Sequence, residues 1–247
     1  MKIDVIPVYG KVLSNHISSC TVIVVDVLRS TSCIITAVGN GATKVVPAID
    51  PGEAAMLASR LGAQDVVLAG EREAVKLPDF DLGNSPYEFT KEAVCDRSVI
   101  ISTTNGTAAI HGMSAAKEVL IGGMINRTAV AKKAVELGND IIIVCAGTYG
   151  QISADDLLAA SLDPEFFLES YEPTIAYLKK RFPGTEFRRT DYSSAQLIEA
   201  IKQGRADLSV TKHCARLISL GFEEDIKYCF SEDITEVVPV YENGVIR

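Results

Sequence analysis

The run Thr21-Val22-Ile23-Val24-Val25 constrains this chain most, because five consecutive β-branched residues leave no solvent-facing side to a strand. β-Branched residues favour strands, and a strand without alternation is one covered on both faces, as in parallel sheets flanked by helices. The same texture recurs. Strands are expected at 2–6, 21–25, 44–48, 65–69, 98–102, 118–121 and 140–145. Helical patterns separate many of them, at 31–38, from Asp50 to about residue 61, at 107–116 and at 126–137. Asp50-Pro51-Gly52-Glu53 supplies an N-cap, a proline at N1 and an acid at N3 for the second of these helices. Such alternation predicts an α/β fold, a three-layer α/β/α sandwich on a largely parallel or mixed sheet. Beyond Cys145 the pattern turns helical, at 153–162, 164–181, 193–202 and 212–220, with late strands expected at 226–230 and 236–241. No linker interrupts it, so residues 1–247 read as one domain with a helical elaboration at about 153–220.

Composition narrows the function. The net charge of −8 disfavours a nucleic-acid surface. No apolar run approaches the ~20 residues of a bilayer span, so no membrane association is expected. Six cysteines form no CxxC pair, which points to a reduced, cytoplasmic setting, and three histidines are too few for a histidine-rich metal site. Assembly into a homo-oligomer is left open.

Polar residues concentrate where strands end, which is where α/β sheets hold ligands. Asp26 to Ser32 reads Asp-Val-Leu-Arg-Ser-Thr-Ser, with hydroxyls at Ser30 and Thr31 able to cap the next helix or hold an anion at its N-terminus. Gly70-Glu71-Arg72 follows the strand ending at Ala69. Ser85, Pro86 and Glu88 have the spacing of a capping box and are assigned to structure, which leaves Asp81 and Asn84 as site candidates. Thr103-Thr104-Asn105-Gly106-Thr107 offers donors suited to phosphate oxygens. Gly147, Ser153, Asp155 and Asp156 lie beyond Cys145, with Asp156 best spaced to cap its own helix.

The carboxylates Asp26, Glu71, Asp81, Asp155 and Asp156, with scarcely any histidine, suit Mg²⁺, a hard oxygen-seeking ion. Arg29 and Arg72 suit phosphate, which guanidinium grips two-pronged. Arg29 is expected to be an anion clamp whose removal costs activity and spares the fold. In each case capping or solvation is the competing reading. No P-loop run is present, and Gly39-Asn40-Gly41 follows a helix rather than a strand, against a dinucleotide fingerprint. Gln151 stands where a cysteine phosphatase built on Cys145 would need arginine, and Leu28 where haloacid-dehalogenase-like phosphatases carry their second aspartate.

Taken in order, Asp26-Val27-Leu28-Arg29-Ser30-Thr31-Ser32, Gly70-Glu71-Arg72, Phe80 to Pro86, Thr103 to Thr107, and Cys145-Ala146-Gly147 leading to Ser153 and Asp155-Asp156 resemble the successive signatures of the 2-phosphosulfolactate phosphatase family. The likeness runs over nearly the whole chain. It implies a Mg²⁺-dependent hydrolase that converts (2R)-phospho-3-sulfolactate to 3-sulfolactate, a step toward coenzyme M. Asp155-Asp156 stands where the family pattern has Glu-Asp, and Ala215-Arg216 where it has Gly-Arg. The expected site has Mg²⁺ on some of the five carboxylates, with phosphoryl oxygens gripped by Arg29, Asn84 and the Thr104 to Thr107 loop. Arg72 and Arg216 share the remaining anionic groups, and Asp26, Arg29, Glu71, Asn84, Asn105 and Asp155 carry the chemistry. The other readings are a binding protein for a small phosphorylated organic acid, without turnover, and a different metal-assisted reaction on such a compound.

Overall fold

The structure is a computed structural model that describes residues 1–12, 14–62, 65–151, 153–160 and 211–247. The helices expected at 164–181 and 193–202 lie outside the described residues. At the centre is a ten-stranded mixed sheet. One parallel block contains β1 (Ile3–Ile6), β8 (Ile141–Cys145), β2 (Thr21–Val25) and β7 (Glu118–Gly122), in that spatial order. The other contains β3 (Lys44–Pro47), β6 (Ser98–Ser102) and β4 (Val66–Arg72). A hairpin of β9 (Val240–Glu242) and β10 (Val245–Ile246) joins them antiparallel, and β5 (Val75–Lys76) ends the sheet beside β4.

Every residue of β2 is buried. Val22 and Val24 enter one apolar cluster with Ile34 and Ile35 of α2 (Ser30–Gly39) and Ile110 of α5 (Gly106–Gly112). Ile23 and Val25 enter another with Val130 of α6 (Arg127–Glu136), Leu217 of α8 (Lys212–Ser219) and Ile226 of α9 (Glu223–Cys229). Adjacent strand residues thus face opposite helical layers, which makes the sandwich. A third cluster places Ala54 of α3 (Pro51–Leu61) over Val46, Val66 and Ile100. That helix starts as its sequence predicts: Asp50 Oδ1 accepts from Glu53 N at 2.8 Å, and Glu53 accepts from Ile49 N at 2.7 Å.

The sheet is mixed, as expected, because the hairpin inverts one block relative to the other. Five steps separate β2 from β6. At ~20–25° of twist per step the sheet turns through more than a right angle, which lets blocks of opposite ladder sense bring their C-terminal loops together. Three expectations are corrected. Residues 226–230 are helical rather than extended: Glu223, Glu224 and Asp225 sit in the first turn, and Ile226 and Cys229, three apart, share the buried side. The strand expected at 236–241 is the shorter Val240–Glu242, overlapping it at two residues. Finally, Ser85 and Glu88 form no capping box. Pro86–Glu88 is a single 3-10 turn, where Ser85 Oγ donates to Asp225 at 2.8 Å and Glu88 accepts from Gly83 N.

Candidate active site

Asp26 leaves the buried end of β2 and is 7% exposed. Its backbone closes a turn onto Thr31, whose hydroxyl donates to Asp26 O at 2.9 Å, while Ser30 N approaches its Oδ1 at 3.4 Å. Burial, then the nearby Glu71 carboxylate, push the Asp26 pKa up to about 6, against the opposing pull of His213 and Arg29. Gly106 lies directly against it. A Cβ there would collide with Ser30 Oγ and come within 2.6 Å of Asp26 Oδ2. Gly106→Ala is therefore expected to cost about 2 kcal/mol of stability, as over-packing does, and to cut turnover at least ~10-fold by displacing Asp26. Urea unfolding and phosphate-release rates check both effects.

The polar loops interlock. Thr103 donates to Ser30 Oγ at 3.3 Å, tying the loop after β6 to α2. Glu71 accepts from Thr104 N at 2.8 Å, from its hydroxyl at 3.0 Å, and from Ala74 N at 2.7 Å. Asn105 Oδ1 accepts from Tyr149 N at 3.1 Å, reaching the loop after β8. Asp156 joins that loop to the first, accepting from Val27 N at 3.0 Å and Gly147 N at 2.9 Å. It does not cap its own helix as expected. Burial, the Asp26 charge and the Asp155 charge raise its pKa well above the usual carboxylate range, despite the two amides.

Asp155, in α7 (Ala154–Ala160) and 1% exposed, faces His213 Nδ1 at 3.2 Å, Ser153 Oγ at 3.3 Å and Cys214 Sγ at 3.7 Å. Burial opposes charging of His213, but the Asp155 hydrogen bond and the charges of Asp155 and Asp26 outweigh it, so its pKa is raised. Nothing in the spacing of the sequence singles out His213. Its one local signal is the N-cap two residues earlier, where Thr211 accepts from Cys214 N and fixes the first turn of α8.

Arg29 is 2% exposed and already engaged. It pairs with Asp225 at 2.6 Å, donates to Ala74 O at 3.4 Å and stacks 4.0 Å from the Phe222 ring centroid. β4 extends through Arg72, so Glu71 and Arg72 alternate in direction instead of sharing a loop. Arg72 donates to the carbonyls of Glu71 and Ser102 and to Ser102 Oγ. Asp81 is exposed and accepts from Leu68 N at 2.8 Å, outside the network around Asp26. Asn84 is 6% exposed, and its Oδ1 is buried with no hydrogen-bond partner among the described residues, as a group awaiting a ligand would be. Ser30, Thr31 and Thr107 are fully buried and serve as scaffolding for Asp26 and its neighbouring loop. Thr104, Asn105, Tyr149, His213 and Arg216 keep exposed surface. Burial, then the Glu73 and Glu71 charges, raise the pKa of the Tyr149 phenol, and Arg216 opposes them. Cys145 is fully buried, and burial together with Asp156 raises its thiol well above the ordinary range, which removes it as a thiolate nucleophile.

The family model for 2-phosphosulpholactate phosphatase matches residues 8–244, taking in every loop of this network. The chain belongs to the 2-phosphosulfolactate phosphatase family. A probable 2-phosphosulfolactate phosphatase of Clostridium acetobutylicum is 36% identical over 246 residues, covering 100% of both chains. One from Clostridium tetani is 36% identical over 247 residues, again covering 100% of each. One from Caldanaerobacter subterraneus subsp. tengcongensis is 36% identical over 242 residues, 97% of this chain and 95% of its own.

Among the described residues no three His, Cys, Asp or Glu side chains converge to hold a metal ion. Mg²⁺ needs fewer, since it is commonly held by one or two carboxylates with water and substrate phosphate. Asp26 fits that role. Its carboxylate is buried with a raised pKa, beside a second carboxylate and against a glycine that leaves Oδ2 uncovered by any Cβ. Asp155 and Asp156 are engaged elsewhere, by His213 and Cys214 and by two backbone amides respectively.

Proposed function

We propose that this member of the 2-phosphosulfolactate phosphatase family hydrolyses the phosphate monoester of 2-phospho-3-sulfolactate, or of a closely related small phosphorylated organic acid. The observation that carries this reading is the placement of the Asp26 carboxylate, buried at a raised pKa where the loops after β2, β6 and β8 interlock. Asp26 would hold Mg²⁺, which supplies positive charge against the phosphoryl group as negative charge redistributes in the transition state. Glu71 fixes Thr104, and Tyr149 N holds the Asn105 amide, so the half-buried face of this loop is set to meet phosphoryl oxygens. Arg216, exposed on α8, would attract a carboxylate or sulfonate on the same substrate. Arg29 acts from behind, holding Asp225, Ala74 and Phe222 around the base of the site.

Phosphate release from 2-phospho-3-sulfolactate and from a panel of small phosphomonoesters tests the reading. Turnover is expected with Mg²⁺, is lost on chelation and returns when Mg²⁺ is restored. Full turnover in a chelated, metal-free sample would remove the metal from the mechanism. Binding of the phosphoester without phosphate release would make the chain a binding protein.

A further inference from the structure

Among the described residues of the network, His213 is the one ionisable group with both a buried carboxylate partner and a ring nitrogen left without one. Its Nδ1 lies 3.2 Å from Asp155 Oδ2, a carboxylate 1% exposed, while the imidazole side chain keeps 26% of its surface. Among the described residues Nε2 has no hydrogen-bond partner, so the ring is oriented from one side and open on the other. A carboxylate that fixes one ring nitrogen and leaves the other to a reacting group is the arrangement of a general acid–base pair. Asp155 adjoins Asp156, which accepts from Val27 N next to Asp26, so the His213–Asp155 pair is anchored to the loop that carries the proposed phosphoryl site. The phosphoester of a hydroxy acid needs such a donor, because an alkoxide is a poor leaving group unless it is protonated as it departs.

Resting on the function proposed above, we propose that His213, oriented by Asp155, is the general acid that protonates the departing ester oxygen. As the bond from phosphorus to the ester oxygen breaks, its electron pair passes to that oxygen, which takes the proton from His213 Nε2. Water forms the new bond to phosphorus, and the proton it releases returns to the imidazole. Asp155 is a positioning residue that holds the ring through Nδ1 and leaves Nε2 to the substrate.

Two matched substrates test this: 2-phospho-3-sulfolactate, and its analogue with sulfur as the bridging atom, whose thiolate departs without needing a proton. His213→Gln is expected to lower kcat at least ~100-fold on the oxygen ester, within the range for general acid catalysis. On the sulfur ester it should lower kcat less than ~5-fold. His213→Asn should reproduce the pattern, and Asp155→Asn should show it in weaker form. Equal losses on both esters, or no loss on either, would overturn the assignment of His213. Failure of the unmodified protein to release phosphate from the oxygen ester would instead overturn the proposed function.

Discussion

Asp26→Asn is expected to make the protein more stable at pH 8 and to lower kcat/KM at least ~1000-fold, or about 4 kcal/mol of transition-state stabilisation. The two effects share one cause. Asp26 has a folded pKa of about 6 against an ordinary value of 3.8, so the folded chain binds this proton more tightly than the unfolded chain does. A raised carboxylate pKa gives stability that is fully present below the unfolded value and lost as pH rises through the folded one. At pH 8 the wild-type protein therefore carries a buried charge costing on the order of 2–3 kcal/mol. Asparagine removes the charge and keeps an oxygen for the Ser30 amide. The expected gain is ~5–10 °C in melting temperature at pH 8, shrinking toward zero as pH falls to about 4. Excess Mg²⁺ should raise the melting temperature of the wild-type protein alone, because the variant has lost the carboxylate that holds it. Thermal melts at both pH values, with and without Mg²⁺, check this together with phosphate release. A variant less stable than wild type at pH 8 would mean that Asp26 is held chiefly as a structural charge.

The strand ends were legible in the sequence because the evidence for them is local. A run such as residues 21–25 can only be a covered strand, and the polar residues that follow stand outside its apolar register. The Asp50 cap was readable for the same reason, as donor and acceptor lie three residues apart. What sequence could not deliver was pairing at long range. Asp225 meets Arg29 across 196 positions. Asp156 meets Val27 across 129. No spacing rule connects such groups. Glu71 and Arg72 were misread by a subtler route: extending β4 by three residues beyond Ala69 turned two loop neighbours into side chains of alternating direction. His213 was invisible because its meaning comes from Asp155, on a different helix. The family resemblance supplied the order of the motifs without their contacts, so it could name Arg29 as a site residue yet not show that its guanidinium already has a carboxylate.

That carboxylate changes what removing Arg29 does. The sequence alone led to the expectation that Arg29→Ala spares folding. The structure predicts instead a loss of about 3–5 kcal/mol, since truncating one member of a buried ion pair strands the other. Arg29 and Asp225 have side-chain exposures of 3% and 6% at 2.6 Å separation, so water cannot easily replace the missing guanidinium. In a chain of this size the melting temperature should fall by ~10 °C. Asp225→Ala should cost a similar amount by leaving Arg29 uncompensated. The double variant should be far less damaged than the sum of the two, because neither charge remains buried alone, and the coupling from the cycle should exceed ~2 kcal/mol. Arg29→Lys should recover only part, since an ammonium cannot both pair with Asp225 and lie flat on Phe222 as the planar guanidinium does. Activity is expected to fall in every one of these variants. Asp225 also receives the Ser85 hydroxyl, next to Asn84, and Arg29 starts the helix whose first turn holds Asp26. Additive losses in the cycle, or an Arg29→Ala protein melting within ~2 °C of wild type, would show that the pair contributes little and return Arg29 to the role of anion clamp.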